Sequence, residues 1–141
     1  ASVETLSEDD LSAYADRIFE LVNQEREKAG AAPLERSDVL TEAAMARALE
    51  CASLNSIYVD GKAHTRPDGS EWFTALGVSK NYNYGENTGQ GCTADQRMAR
   101  FMKSEGHRRN ILREDYTEIG IGCAVSAQGE IFTVQIFYRP L

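Results

Sequence analysis

Two histidines and a few carboxylates carry most of the chemistry this chain can offer. His64 stands in His64-Thr65-Arg66-Pro67-Asp68-Gly69, and His107 in Ser104-Glu105-Gly106-His107-Arg108-Arg109-Asn110. Between them lies Tyr84-Gly85-Glu86-Asn87-Thr88-Gly89. Neutral imidazoles suit Zn2+ and similar divalent ions, and a site open on one side leaves room for water. A carboxylate near such a water can act as its base. Two imidazoles and two carboxylates, Glu86 and Glu105, each in a glycine-containing segment, are what a shared polar cleft needs. Three uses remain open: a metal site held by His64 and His107, an acid/base site with Glu86 or Glu105 as the working carboxylate, or a hydrogen-bonded polar core that pins three loops.

Several chemistries are poorly supplied. The histidines are far apart in sequence, with no His-Glu-x-x-His pair on one helix face. No Gly-x-Ser-x-Gly elbow is present, and nothing gives Cys92 a nucleophile's surroundings. Ser104 is close to His107, as serines often are to histidines. The odd cysteine count (Cys51, Cys92, Cys123) allows at most one internal disulfide and one free thiol.

The elements that must position these groups follow from periodicity and punctuation. Ser7-Glu8-Asp9-Asp10 can cap a helix whose apolar face is Leu11, Tyr14, Ile18, Leu21 and Val22. Gly30 and Pro33 end it. Ala31 to Glu35 reads as a connector. Ser37 and Asp38 open a second helix with an alanine-rich face through Leu40, Ala43, Ala44, Arg47 or Ala48, Cys51 and Leu54, suited to close packing. Ile57-Tyr58-Val59 is strand-like. Ser70 to Leu76 reads as a short helix stopped by Gly77, with Trp72 and Phe73 as core candidates. Tyr82 and Tyr84 lie in a loop that could rim a cleft or lead into a strand. Thr93 and Gln96 form a capping box for a third helix with Met98, Phe101 and Met102 on its buried face. Gly106 is expected to end that helix, leaving His107 at its C-terminal edge, where the dipole favours a protonated ring. Glu118–Val125 and Ile131–Tyr138 read as a hairpin, with Gly120 and Gly122 leaving room for a close neighbour.

A length of 141 residues suits one domain, here residues 1–141, with residues 1–8 as a flexible extension. The net charge of −7 argues against non-specific nucleic-acid binding. The charge is uneven: residues 1–50 hold twelve acids and five bases, whereas residues 97–113 hold six bases and one acid. The basic segment is either a solvated helix face or an attractor for an anionic ligand or lipid headgroup. No apolar run approaches the ~20 residues of a membrane-spanning helix.

Five ordered blocks carry a resemblance: Leu21-Val22-Asn23-x-x-Arg26, His64-Thr65-x-Pro67-Asp68-Gly69, Gly85-Glu86-Asn87, Ser104-x-Gly106-His107-Arg108-x-Asn110-Ile111-Leu112, and Tyr116-Thr117-Glu118-Ile119-Gly120-Ile121-Gly122. Together they resemble the bacterial branch of the CAP superfamily, which includes cysteine-rich secretory proteins, antigen 5 and pathogenesis-related 1 proteins. The resemblance implies an α+β fold, a three-layer α-β-α sandwich with a central antiparallel sheet flanked by helices. It implies a secreted or cell-surface location and a monomer. It also implies a cleft of His64, Glu86 and His107, with a fourth acidic member open between Glu105 and Glu118 and with Asp115 where eukaryotic relatives place their second histidine. Some relatives bind zinc or another divalent ion there. Others are known as lipid or sterol binders or as protein-binding effectors, so the implied partner is an extracellular lipid or protein ligand. Relatives pair a cysteine on the helix before the first histidine with one on a Leu-Gly-Cys-Ala strand, which implies Cys51–Cys123, against three reduced buried thiols. The combined expectation is a binding module for a ligand or divalent ion, with a metal-dependent peptidase- or esterase-like hydrolase as the alternative.

Overall fold

A computed structural model describes residues 6–141. Helix α1 (Glu8–Lys28) starts where the Ser7 hydroxyl accepts from the Asp10 N–H at 3.1 Å and the Asp10 carboxylate accepts from the Ser7 N–H at 2.9 Å. Ser7 and Glu8 are therefore the cap and first turn of a helix rather than part of a flexible extension; residues 1–5 of that expected extension lie outside the described residues. Helix α2 (Asp38–Leu54) is capped by the Ser37 hydroxyl, and α3 (Ala94–Lys103) by a reciprocal Thr93–Gln96 box. A 3-10 turn at Trp72–Leu76 replaces the expected short α-helix and stops at Gly77, whose φ of +74° favours a residue without a Cβ.

The main sheet runs β1 (Glu35–Arg36), β5 (Glu118–Val125), β6 (Ile131–Tyr138), β4 (Tyr84–Gln90). Strands β5, β6 and β4 are antiparallel, as expected of the central sheet, while β1 adds a two-residue parallel edge that composition had marked only as connector. A separate ribbon pairs β2 (Tyr58–Val59) with β3 (Lys62–Ala63), just before His64.

Alternation on β5 and β6 builds two cores. Ile119, Ile121, Cys123, Ile131 and Phe137 pack with α1, α3 and α4 (Glu105–Leu112). Ala124, Phe132, Val134 and Ile136 pack with α2 and Trp72 on the other face. This is the α-β-α sandwich. Helix α2 lies so close to the sheet that a Cβ on Gly120 would overlap the Leu40–Thr41 backbone, and one on Gly122 the Ala44–Met45 backbone. The alanines of α2 allow the same approach from the helix side.

The Cys51–Cys123 pairing is not met. Cys51 packs into the α2-side core and Cys123 into the α1-side core, so the sheet separates them, and all three cysteines are free thiols. Burial pushes Cys51 up to about 11 and Cys123 up to about 12, so both are unreactive core residues at neutral pH.

Arg26 is wholly buried, and among the described residues its side chain bonds to no carboxylate. It donates to the carbonyls of Ala32 at 2.7 Å, Ile111 at 2.9 Å, Arg113 at 2.8 Å and Tyr116 at 3.2 Å. One side chain thus ties the end of α1 to the end of α4 and to the approach to β5.

Candidate functional site

The site is organised by an edge strand. Of the two uses open to the loop ending at Tyr84, rim of a cleft or lead into a strand, the second is met: Tyr84–Gln90 is β4, paired residue by residue with β6. Strand alternation sends neighbouring side chains to opposite faces. Glu86 therefore faces α2, and Asn87 faces α3 and α4. His64 arrives from the α2 side and His107 from the α4 side, and they meet over the outer edge of β4.

On the α2 side, the Glu86 carboxylate is fully buried and accepts from Arg47 Nε at 2.8 Å and Arg47 Nη2 at 3.3 Å. Its Oε1 also takes His64 Nδ1 at 2.8 Å. Arg47 Nη1 reaches Glu50 at 3.2 Å, and Glu50 in turn holds Arg66 Nη2 at 2.6 Å. Arg66 is two residues from His64, so this chain of charges holds the histidine loop at both ends. Burial works against the Arg47 charge, but the Glu86 and Glu50 carboxylates outweigh it and raise the guanidinium above its ordinary range. A carboxylate only accepts, so His64 Nδ1 carries the hydrogen here and a neutral ring keeps its Nε2 lone pair free. His64 adopts φ +56°, a left-handed conformation uncommon outside glycine, with its carbonyl accepting from the Trp72 N–H at 3.1 Å.

On the other side, Asn87 Nδ2 donates to the His107 carbonyl at 3.2 Å and to Gln135 Oε1 at 3.0 Å, and Asn110 donates to Asn87 Oδ1 at 2.9 Å. His107 Nδ1 pairs with the Ser104 hydroxyl at 2.8 Å, and its ring lies 4.8 Å from that of Phe101. Phe101 carries the Arg97 guanidinium 4.4 Å from its ring centroid. The helix break also differs from expectation. Ser104, extended at ψ 120°, ends α3, and a new helix starts at Glu105, with Gly106 inside it. His107 therefore sits in the first turn of α4, where the dipole opposes protonation rather than favouring it.

Burial, then the Arg97 charge, then His64 lower the His107 imidazole below its ordinary value. An NMR titration is expected to give a His107 midpoint below the usual ~6.5. The unfolded chain then binds more protons, so this group's contribution makes stability fall as pH drops from about 6.5 toward the folded value and levels off below it. A His107→Gln variant should lose that part of the pH dependence in urea unfolding; an unchanged pH dependence would contradict it.

A cleft of about 310 Å³ is lined by His64, Glu86, Asn87, Ser104, Gly106, His107 and Asn110. Three of the expected residues, His64, Glu86 and His107, do converge. Glu105 does not: its side chain is 78% exposed and paired with Arg109 at 3.0 Å, one turn along the outer face of α4. Glu118 lines a different recess with Ser37 and Tyr84, and Asp115 is bound to Arg113 and Arg139. Arg47, Asn87 and Asn110 were missed. The signal for Arg47 was a charge within the alanine face of α2. A larger groove, about 650 Å³, follows α1 past Phe19 and Asn23 to Pro33, but it holds none of these groups.

For a metal, the donor set is thin. Among the described residues no three His, Cys, Asp or Glu side chains converge as ligands. Both Glu86 oxygens are engaged by Arg47 and one also by His64, which leaves the two imidazoles. That suits a loosely held ion completed by water rather than the three protein ligands usual in catalytic zinc sites.

Residues 19–137 match the model of the family described as CAP, the cysteine-rich secretory protein family. The chain is 35% identical over 126 residues to the uncharacterized protein YkwD of Bacillus subtilis (strain 168), covering 89% of this chain and 47% of that protein, so it spans about half the length of this curated relative. Its fold is similar to that of an outer surface protein from Borrelia burgdorferi (TM-score 0.80, 16% identity, covering 94% of this chain and 96% of that one). It is also similar to an extracellular protein containing an SCP domain from Bacillus anthracis (TM-score 0.73, 24% identity, covering 97% and 45%). The ordered motifs and the sandwich agree with these matches: the chain belongs to the CAP family.

Proposed function

We propose that this domain is an extracellular binding module whose ligand enters the cleft between His64 and His107, with a divalent ion such as Zn2+ held there by the two imidazoles. The observation that carries this reading is the contact of His64 Nδ1 with the buried Glu86–Arg47 pair, which presents the other ring nitrogen as a lone-pair donor. A carboxylate behind a ligating histidine is the usual outer partner of such a metal ligand. A fold neighbour, NaASP2, was solved with Zn2+ (TM-score 0.55, 13% identity, covering 94% of this chain and 80% of that one). A bound ion would supply positive charge for an anionic or carbonyl group of the ligand. The extracellular setting rests on the Borrelia outer surface protein and the Bacillus anthracis extracellular protein. Among the described residues no helix is long and apolar enough to cross a membrane.

The hydrolase alternative needs a free base. Glu86 is neutralised by Arg47, and Glu105 points away from the cleft. The lipid alternative needs an apolar wall, but Trp72 is packed in the core. Calorimetric titration with Zn2+ near pH 7.5 tests the binding reading. One equivalent should bind the wild type, and His64→Ala and His107→Ala should each weaken binding by at least ~10-fold while circular dichroism shows an intact fold. A folded wild type that takes up no Zn2+ removes the metal part of the proposal. Ester or peptide turnover lost in His64→Ala would replace it with the hydrolase.

A further inference from the structure

Next to the histidine cleft, and sharing His64, Glu86 and Asn110 with it, is a second recess of about 390 Å³. Its walls differ in chemistry from the cleft. Arg109 and Arg113 stand one helical turn apart on α4 and at its end, so both reach the same side of the recess. Asn81 and Tyr82 contribute the opposite loop, and Tyr82 is 71% exposed. The ring fills no core, and the Lys80 Nζ lies 5.4 Å from its centroid, which adds a further cation beside it.

The two arginines of this wall are only partly engaged: Arg109 pairs with Glu105, and Arg113 shares Asp115 with Arg139. Arg109 uses only Nη2 on Glu105, and Arg113 uses Nε and Nη2 on Asp115. Among the described residues, Arg109 Nε and Nη1 and Arg113 Nη1 have no protein acceptor. Guanidinium donors left in this state match a carboxylate on a ligand. Both arginines belong to residues 97–113, which hold six bases and one acid in a chain of net charge −7.

Two kinds of extended anionic ligand could use such a wall, an acidic glycan and an acidic peptide. An extended peptide gains its affinity from main-chain pairing with a free sheet edge. The adjacent edge strand does not offer one. Gly85 through Gly89 of β4 are buried, and the Glu86 carbonyl already accepts from Asn110 Nδ2 at 3.3 Å. What the recess does offer is side-chain recognition only: the exposed Tyr82 ring, the amide of Asn81 and two guanidinium groups. Rigid rings bearing hydroxyls and a carboxylate fit that set.

We propose that this recess binds an acidic oligosaccharide of the uronic-acid type, with a sugar ring against Tyr82 and its carboxylate on Arg109 and Arg113. The proposal rests on the reading of the domain as a binding module and names the class of ligand beside the cleft. The test is calorimetry with trigalacturonate at low ionic strength, run beside maltotriose, tetraglutamate and a separate Zn2+ titration. Trigalacturonate should bind the wild type. Tyr82→Ala and Arg109→Ala, both changes to exposed side chains, should each weaken it by about tenfold or more, roughly the loss of one good contact. Maltotriose should bind at least as weakly as trigalacturonate binds to Arg109→Ala. Both variants should keep the wild-type Zn2+ titration, so a failure here is separable from failure of the metal reading. Absence of trigalacturonate binding to the folded wild type overturns the proposal. So does equal binding of maltotriose, or tetraglutamate binding that matches trigalacturonate and shows the same dependence on Tyr82 and Arg109.

Discussion

Replacing Arg47 by alanine is expected to destabilise the fold by about 3–5 kcal/mol, because it leaves the buried Glu86 carboxylate without its guanidinium partner. The two contacts from Arg47 are the only guanidinium bonds Glu86 receives, and the remaining partner, His64, is partly exposed and uncharged when neutral. Much of the loss is a desolvation penalty rather than the worth of the pair. The double variant Arg47→Met with Glu86→Leu should therefore recover most of it, since no buried charge is left. Urea unfolding of the two single variants and the double variant measures the coupling. An Arg47→Ala protein within about 1 kcal/mol of wild type would contradict the account. The double variant also separates stability from function. It should fold yet bind Zn2+ more weakly than the wild type, because His64 loses the carboxylate that orients its ring.

The second large effect is expected at Arg26. Truncation to alanine takes a donor from four carbonyls, those of Ala32, Ile111, Arg113 and Tyr116; the Ile111 and Tyr116 bonds are buried, whereas the Arg113 carbonyl keeps the Tyr116 N–H at 3.3 Å. Burial lowers the Arg26 guanidinium from its ordinary range, with Glu114 acting in the opposite direction, so the carbonyl dipoles stand where water and a counter-ion otherwise would. Hydrogen bonds from a charged donor are each worth about 1.5–3 kcal/mol and are not additive, so a loss on the order of 4 kcal/mol or more is expected. That is a large share of the roughly 5–15 kcal/mol that holds a typical domain together. Arg26→Lys should recover only part of it. An ammonium is a compact donor, whereas the four acceptors are spread around a planar fork. Thermal and urea unfolding of both variants checks the ranking, and a lysine variant as stable as wild type would show that charge, not fork geometry, is what the site uses.

Both residues lay inside blocks or faces visible in the chain, but their roles were not. Arg26 belongs to the Leu21-Val22-Asn23-x-x-Arg26 block, and Arg47 interrupts an alanine face. A sequence shows that a charge falls on a buried stripe. It does not show whether a carboxylate or a set of carbonyls will meet it, because all of those partners but Ala32 are 39 to 90 residues away along the chain.

What the sequence determined by itself is the local part of the fold and three members of the site. The helix starts at Ser7, Ser37 and Thr93, the stops at Gly30 and Gly77, and the alternation of β6 all depend on interactions within a few residues, which composition and spacing encode directly. The convergence of His64, Glu86 and His107 was legible because the ordered motifs resemble a known family. The tertiary structure decided the rest. It made Tyr84–Gln90 an edge strand despite its glycines, because β6 supplies a full ladder of partners that no local propensity records. It separated Cys51 from Cys123, because pleat alternation and the placement of α2 put them on opposite faces of the sheet. It moved Glu105 out of the cleft and gave His107 a helix N-terminus, because the chain breaks at Ser104 and not at Gly106. In each case the deciding energy comes from contacts between distant segments, and those exist only once the layers have packed.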